Sequence, residues 1–496
     1  HNALIENTTG SYNVAIGGFA LDANTTASNN TAVGYNSLTA NTTGSHQTAS
    51  GFEALKSVAT TSFNTAYGSQ ALKVAVADSC VAVGAQSLVA CTSGAGNTAV
   101  GRDSMGATTT GANNVAVGKS ALYANTTGST NVAIGKDALD SNTTGSDNVA
   151  IGADGMQSNT TGHSNVGVGK RVMEGNTTGY ENVAVGMVAL DSNTTGDSNT
   201  ALGHAALSTA TTASNNTAVG RQALYLNTTG ANNTALGKDS LKSNTTGASN
   251  VGVGTSALAA NTTGAGNTAI GTSSGLRTTT GGYNVLLGPD AGSQLTTGDS
   301  NVCIGRLSGS HNYYLATGIN NVLIGALSDT TAADTDNANG IGYDIYAEGG
   351  YTTVGNSTSD IRAAHGTATW ATVSDERYKK DIVDSTAGLS FINALQPRTF
   401  KYKTLGELPE TFNAYEADST EVFKNSNTNH GFIAQEVKAA IDADSSIADG
   451  FKLWDDREDG SQEVAEAALI PVLTKAIQEL STQLDAALAR ITTLEG

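Results

Sequence analysis

The sequence predicts a mainly β protein. It should be a parallel β-solenoid or β-roll of 17-residue coils, trimeric in assembly, followed by a small α/β domain ending in a trimeric coiled-coil helix. Three observations predict this. A Gly closing a short apolar run recurs from Gly17 to Gly342, with nearly every interval equal to 17 residues. The chain has 58 Gly but only 5% aromatic and 14% charged residues, too few large side chains for an ordinary core. From Ser374 the character changes: residues 1–373 carry 13 Lys/Arg and 22 Asp/Glu, and the remaining 123 residues carry 12 and 22. The expected divisions are a shaft over 1–355, a connector over 356–373 and a C-terminal domain over 374–496.

One repeat is clear in residues 131–147: Asn131, an alternating Val-Ala-Ile, Gly135, an Ala-Leu pair ending at Leu139, then Asn142-Thr-Thr-Gly145. The apolar triplet reads as a strand. Asn-Thr-Thr-Gly reads as a turn whose Gly can take positive φ. A second extended stretch around the Ala-Leu pair is expected to complete the coil. A 17-residue unit cannot bury a core alone, so coils must stack. Stacking is expected to bury a column of Val/Ile and a column of Leu, in a rod on the order of 100 Å long. It also superposes Asn131, Asn148, Asn165 and Asn182, which should form amide ladders. The Ala/Ser column beside Leu should pack on other chains, most simply three around one axis. Two intervals depart from 17, namely 68 to 84 (16 residues) and 305 to 325 (20 residues).

These repeats are similar to the β-roll heads of trimeric autotransporter adhesins and to phage fibre shafts, a resemblance covering about residues 1–355. The Asn-Thr-Thr tracts formally match glycosylation acceptors, but turn chemistry accounts for them. Adjacent Thr would point to opposite sides of a strand, which argues against an ice-binding face.

Composition limits the partners. A net charge of −19 excludes a basic nucleic-acid face. No apolar run reaches bilayer-spanning length, so no membrane insertion is expected. Cys80, Cys91 and Cys303 lack metal-ligand spacing and read as small apolar fillers. Asp455-Asp456-Arg457-Glu458-Asp459-Gly460 resembles part of a calcium loop, but Arg457 takes a ligand position, so it reads as a solvated turn. No cofactor or metal is expected. The chain opens inside a repeat, and a preceding attachment module is expected.

In the last part, Leu473, Ile477, Leu480, Leu484, Ala487, Ile491 and Leu494 alternate in steps of four and three, a heptad seam within a coiled coil over about 469–495. Pro471 stands near the helix start, where Pro is tolerated. Such a coil can hold copies in register before the shaft folds, which matters because short repeats could pair in many wrong registers.

Ser374-Asp375-Glu376-Arg377-Tyr378-Lys379-Lys380-Asp381-Ile382 alone could be a capped helix start. The wider order adds Leu395, Pro397, Phe400 and Tyr402, then Gly431-Phe432-Ile433-Ala434-Gln435-Glu436-Val437, then Leu469-Ile470-Pro471. Together these resemble the intramolecular chaperone auto-processing domain of endosialidase tailspikes and many phage tail fibres. The resemblance implies a trimerisation chaperone that cuts itself off between Val373 and Ser374. Ser374 would be the nucleophile and Lys379 its base, with His430 auxiliary and Asp375, Arg377, Gln435 and Glu436 supporting. A Ser hydroxyl needs a base to attack a carbonyl, and a Lys serves only where burial or nearby positive charge favours its neutral form.

The implied protein is a phage tail component of the virion, assembled in the host cytoplasm. Its implied partners are its own copies, a host-surface glycan or protein receptor, and other tail proteins. It would be an enzyme only towards itself. A bacterial adhesin and a polysaccharide depolymerase are the competing readings. A depolymerase needs two carboxylates at fixed separation, and Asp137, Asp140 and Asp239 mark no single cleft.

Overall fold

The computed structural model describes residues 2–74, 76–357, 359–366, 376, 379–412, 414–444, 447, 453–456 and 461–495. The chain forms two compact units, His1–Val373 and Ser374–Gly496.

In the first unit, three-residue strands recur from Val14–Ile16 to Val322–Ile324. With the later strands Asn339–Tyr343, Tyr351–Asn356 and Ser359–Ala364 they make one 22-stranded sheet. Neighbours pair in parallel and in register with the repeat, as in Val132↔Val149, Ala133↔Ala150 and Ile134↔Ile151. The sheet ends in an antiparallel hairpin, Tyr351–Asn356 with Ser359–Ala364. The expected solenoid of 17-residue coils is present.

Its interior differs from the expected one in three ways. First, the strand's central residue is buried, and the larger Val and Ile point out. Ala133, Ala150 and Ala184 are fully buried, whereas Ile134, Ile151 and Val185 are exposed. The coil is too narrow for a second large side chain opposite Leu139. Second, the Ala/Ser column faces inward: Ala20, Ala54, Ala138, Ser37 and Ser104 are all buried. The Ser37 and Ser104 hydroxyls donate to the carbonyls of Gly34 (3.0 Å) and Gly101 (2.9 Å). This column is therefore filled by its own chain and offers nothing to a partner. Third, the Ala-Leu stretch is a run of turns, with Asp137 at φ 54° and Leu139 at φ 52°. Left-handed backbone costs about 1–2 kcal/mol for an ordinary residue. Burial of the Leu139 side chain and its N–H bond to the Gly155 carbonyl (3.0 Å) offset this.

The interior admits roughly one large side chain per coil, and in several coils the two columns trade volume. Where Met156 and Met173 fill the Leu column, the strand centre shrinks to Gly167, where an added Cβ would lie 2.8 Å from the Met156 methyl. Where Leu286 takes the strand centre, the Leu column becomes Gly275 and Gly292, whose added Cβ atoms would lie 2.8 and 2.6 Å from Leu286.

Two buried amide ladders run along the stack. Asn148 donates from Nδ2 to Asn131 Oδ1 (3.2 Å) and to the Gly162 carbonyl (2.8 Å), and Asn165 donates to Asn148 Oδ1 (3.1 Å). The second ladder joins Asn125, Asn142 and Asn159 at 3.0 and 2.8 Å. These amides are fully buried, so their mutual pairing is what makes burial tolerable. Cys80 and Cys91 take ladder positions in one coil, and both thiols donate to the Gly94 carbonyl at 3.3 Å.

Gly135 has φ 141°, and a Cβ there would lie 2.4 Å from the Gly152 carbonyl oxygen, so strand-ending glycines are required on both counts. Gly145, in Asn-Thr-Thr-Gly, has no such φ. Its need is space alone, because a Cβ would lie 2.3 Å from the Gly162 oxygen.

The 20-residue interval is an outward loop folded around an acid. Asp329 is fully buried, and its Oδ2 accepts the backbone N–H groups of His311, Asn312, Tyr313 and Tyr314 at 3.1, 2.8, 3.0 and 3.3 Å.

The second unit has helix α1 (Leu389–Ala394), an antiparallel pair Arg398–Phe400 with Asn429–Gly431, helix α2 (Ala434–Ala443), a second pair Trp454–Asp456 with Gln462–Val464, and helix α3 (Leu469–Glu495). Its core gathers Phe391, Val437, Ile441, Leu453, Leu469 and Val472. The Glu479 carboxylate of α3 accepts the Leu389 N–H at 2.8 Å, capping α1. The buried residues of α3 are confined to its first turns, Leu469, Val472 and Ala476. The expected seam beyond them is exposed: Ile477 by 65%, Leu484 by 60% and Leu494 by 85%. Leu488 also lies open, beside the expected Ala487. Among the described residues, no helix is long and apolar enough to cross a membrane.

Candidate functional site in the C-terminal unit

Val373, Ser374, Asp375 and Arg377 lie outside the described residues. Of the expected catalytic groups, Lys379 and His430 are described. The Lys379 backbone N–H donates to the Glu376 carbonyl at 2.9 Å, a turn immediately after the expected cut.

His430 sits in the middle of the strand Asn429–Gly431, paired with Thr399. Its side chain is exposed. The chain then passes through Phe432 and Ile433 into α2, whose first residues are Ala434, Gln435 and Glu436. A cavity of 880 Å³ opens beside this strand-to-helix junction. His430 and Gln435 line it together with Phe400, Tyr402, Phe412 and Phe423. The rings of Phe400 and Tyr402 meet edge to face at 5.4 Å, and Tyr402 meets Phe423 at 5.8 Å. Lys424 Nζ lies 5.4 Å from the Tyr402 ring centre, a cation–π contact.

Glu436 pairs with Arg398. Arg398 grips it with two bonds, Nη2 to Oε1 at 2.7 Å and Nε to Oε2 at 2.9 Å. That guanidinium holds the Glu436 carboxyl below its ordinary range. The pair ties the strand Arg398–Phe400 to the first turn of α2, where a carboxylate also suits the helix dipole. Arg398 was not singled out in the sequence. The one signal for it is its place directly after Pro397, at the start of the strand that pairs with His430.

Among the described residues no cluster of three or more His, Cys, Asp or Glu could hold a metal. The Asp455–Gly460 segment is described only through Asp456, in a strand that pairs with Gln462–Val464.

Residues 374–444 match the family model described as chaperone of endosialidase. No curated protein and no solved structure matches the chain. The chain thus carries a chaperone-of-endosialidase domain at its C-terminal end, behind a parallel β-solenoid of 17-residue coils, and this pairing fits a phage tail-fibre or tailspike-type protein.

Proposed function

We propose that this protein is a receptor-binding tail fibre or tailspike whose three copies are brought together by the C-terminal domain, which then releases itself between Val373 and Ser374. The observation that carries the reading is the chaperone-of-endosialidase match beginning at Ser374, where the repetitive unit has ended. The exposed seam of α3 supports self-association, since a helix with Ile477, Leu480, Leu484 and Ile491 in water gains by burying them against like helices.

In the proposed cut, the Ser374 hydroxyl oxygen attacks the Val373 carbonyl carbon while Lys379 takes the hydroxyl proton. The C–N bond breaks as that proton passes to the Ser374 nitrogen, leaving Val373 esterified to the Ser374 oxygen. Water then hydrolyses the ester, giving a Val373 carboxylate and a free Ser374 amine. Asp375, Arg377, His430 and Gln435 support this site. Glu436 positions the strand-to-helix junction through Arg398. Host recognition falls to the shaft, towards a cell-surface glycan or protein, and other tail proteins hold the assembly in the virion.

Mass spectrometry of the refolded chain beside Ser374→Ala tests the cut. Fragments 1–373 and 374–496 in wild type alone are expected. A wild-type chain that stays whole after long incubation overturns it.

A further inference from the structure

Over its nineteen three-residue strands, the outer face of the solenoid sheet carries no charged residue. In nineteen successive strands, Val14–Ile16 to Val322–Ile324, every first residue is Val or Thr. Every third residue is Val, Ile or Leu, save Ser50 and Tyr67. The central residue points inward, so the first and third both point out. In a chain of net charge −19, the charges stand beside this strip: Lys136 follows the strand Val132–Ile134, and Asp147 precedes Val149–Ile151. An apolar strip with a polar margin is the anatomy of a protein interface.

The strip's size and spacing identify its occupant. Nineteen strands about 4.8 Å apart and about 10 Å wide present roughly 900 Å², against about 800 Å² per partner in a stable complex. The rows repeat at the strand spacing with nearly constant residue types. A surface that matches them row for row must carry the same spacing over the same length, and a further copy of this chain supplies it. The Ala/Ser column cannot serve, because it is already buried within each coil.

We infer that the Val/Thr and Val/Ile/Leu face of the solenoid sheet is the surface by which copies of this chain pack on one another along the shaft. The inference rests on the proposed trimer and assigns its shaft contact. It also separates the chain's surfaces: the turns bearing Thr127 and its equivalents stay open to outside partners.

Thiol accessibility tests this in the full chain, because Cys80, Cys91 and Cys303 are fully buried and give little background. Ile151→Cys and Val185→Cys replace outward side chains that pack on no interior, and Thr127→Cys, exposed in a turn, is the reference. With a charged disulfide reagent, the two strand cysteines should react at least about tenfold more slowly than the turn cysteine. Light scattering on the same samples should give three chains. Rates within about twofold of the reference in a three-chain particle overturn the inference and leave the trimer standing. Equal rates in a monomer overturn both. Slow strand cysteines in a monomer also overturn it, since something other than a second copy then covers the face. Ile151→Lys with Val185→Lys provides a second arm: the shaft released by cleavage should lose its three-chain mass, and retention of that mass counts against the inference.

Discussion

The two units bury their polar and apolar groups by opposite means. The solenoid's interior is largely a stack of Ala and Leu with two columns of Asn, and each residue meets its own equivalent from the next coil. The C-terminal unit has a core of unlike residues from three helices and the segments between them, Phe391 among them, with single-use contacts such as Glu479 to α1 and Arg398 to Glu436. Repetition lets a small interior be stable because each lesion is shared with two neighbours only. It also leaves register undefined locally, which is the task a separate unit with a non-repeating core can perform.

Substitutions should sort by these two modes. The largest effect is expected for Gly152→Ala, since a Cβ would lie 2.2 Å from the Gly169 carbonyl oxygen at a φ of 139°. A loss of about 4 kcal/mol or more from the shaft is expected, with the C-terminal unit's own transition unmoved. Calorimetry resolving two transitions checks it. Phe391→Ala should do the reverse, lowering the C-terminal transition by about 3–5 kcal/mol while the shaft's is unchanged. If both transitions move together in either variant, the units are not energetically separate. Asn148→Ala removes one rung: the Asn165 backbone N–H loses its acceptor, while the Gly162 carbonyl keeps Asn159 and the Asn165 side-chain amide keeps the Gly179 carbonyl. About 2 kcal/mol is expected, read as a drop in the shaft's melting temperature.

The smallest effect is a pH dependence. Lys56 and Lys73 beside Glu53 lower its pKa from 4.5 to about 2. A carboxyl held lower in the folded state contributes stability that is fully present above about pH 4.5 and lost as pH falls through about 2. The difference in shaft melting temperature between wild type and Glu53→Gln should therefore shrink across that window. A constant difference from pH 6 to pH 2 would show that the ion pairs, screened at the surface, contribute nothing measurable.

The repeat made much of this legible in advance. Equal spacing superposes identical residues, so the parallel register and the Asn ladder through Asn131 and Asn148 follow from periodicity, whereas the positive φ expected at Gly145 is found at Gly135. The expected seam at Leu473 to Leu494 rests on steps of three and four, and its large side chains are exposed on the helix. The resemblance of residues 374–496 pointed to the family matched over 374–444. Arg398 was missed because an ion pair between a short strand and a helix 38 residues later has no local signature.

What periodicity could not give was direction. In Val-Ala-Ile, alternation says that the centre and the flanks face opposite ways, but not which side is the interior. The closed coil decided that: with Leu139 already inside, only Ala133 fits across from it, so the larger residues turn outward. The same confinement put Leu139 at positive φ, against its local preference, because only that path brings its side chain into the stack. Sequence alone therefore determined that coils stack and how they are spaced. The tertiary structure decided which face is core and which is free, because that choice depends on the width of the closed coil and on no single residue within it.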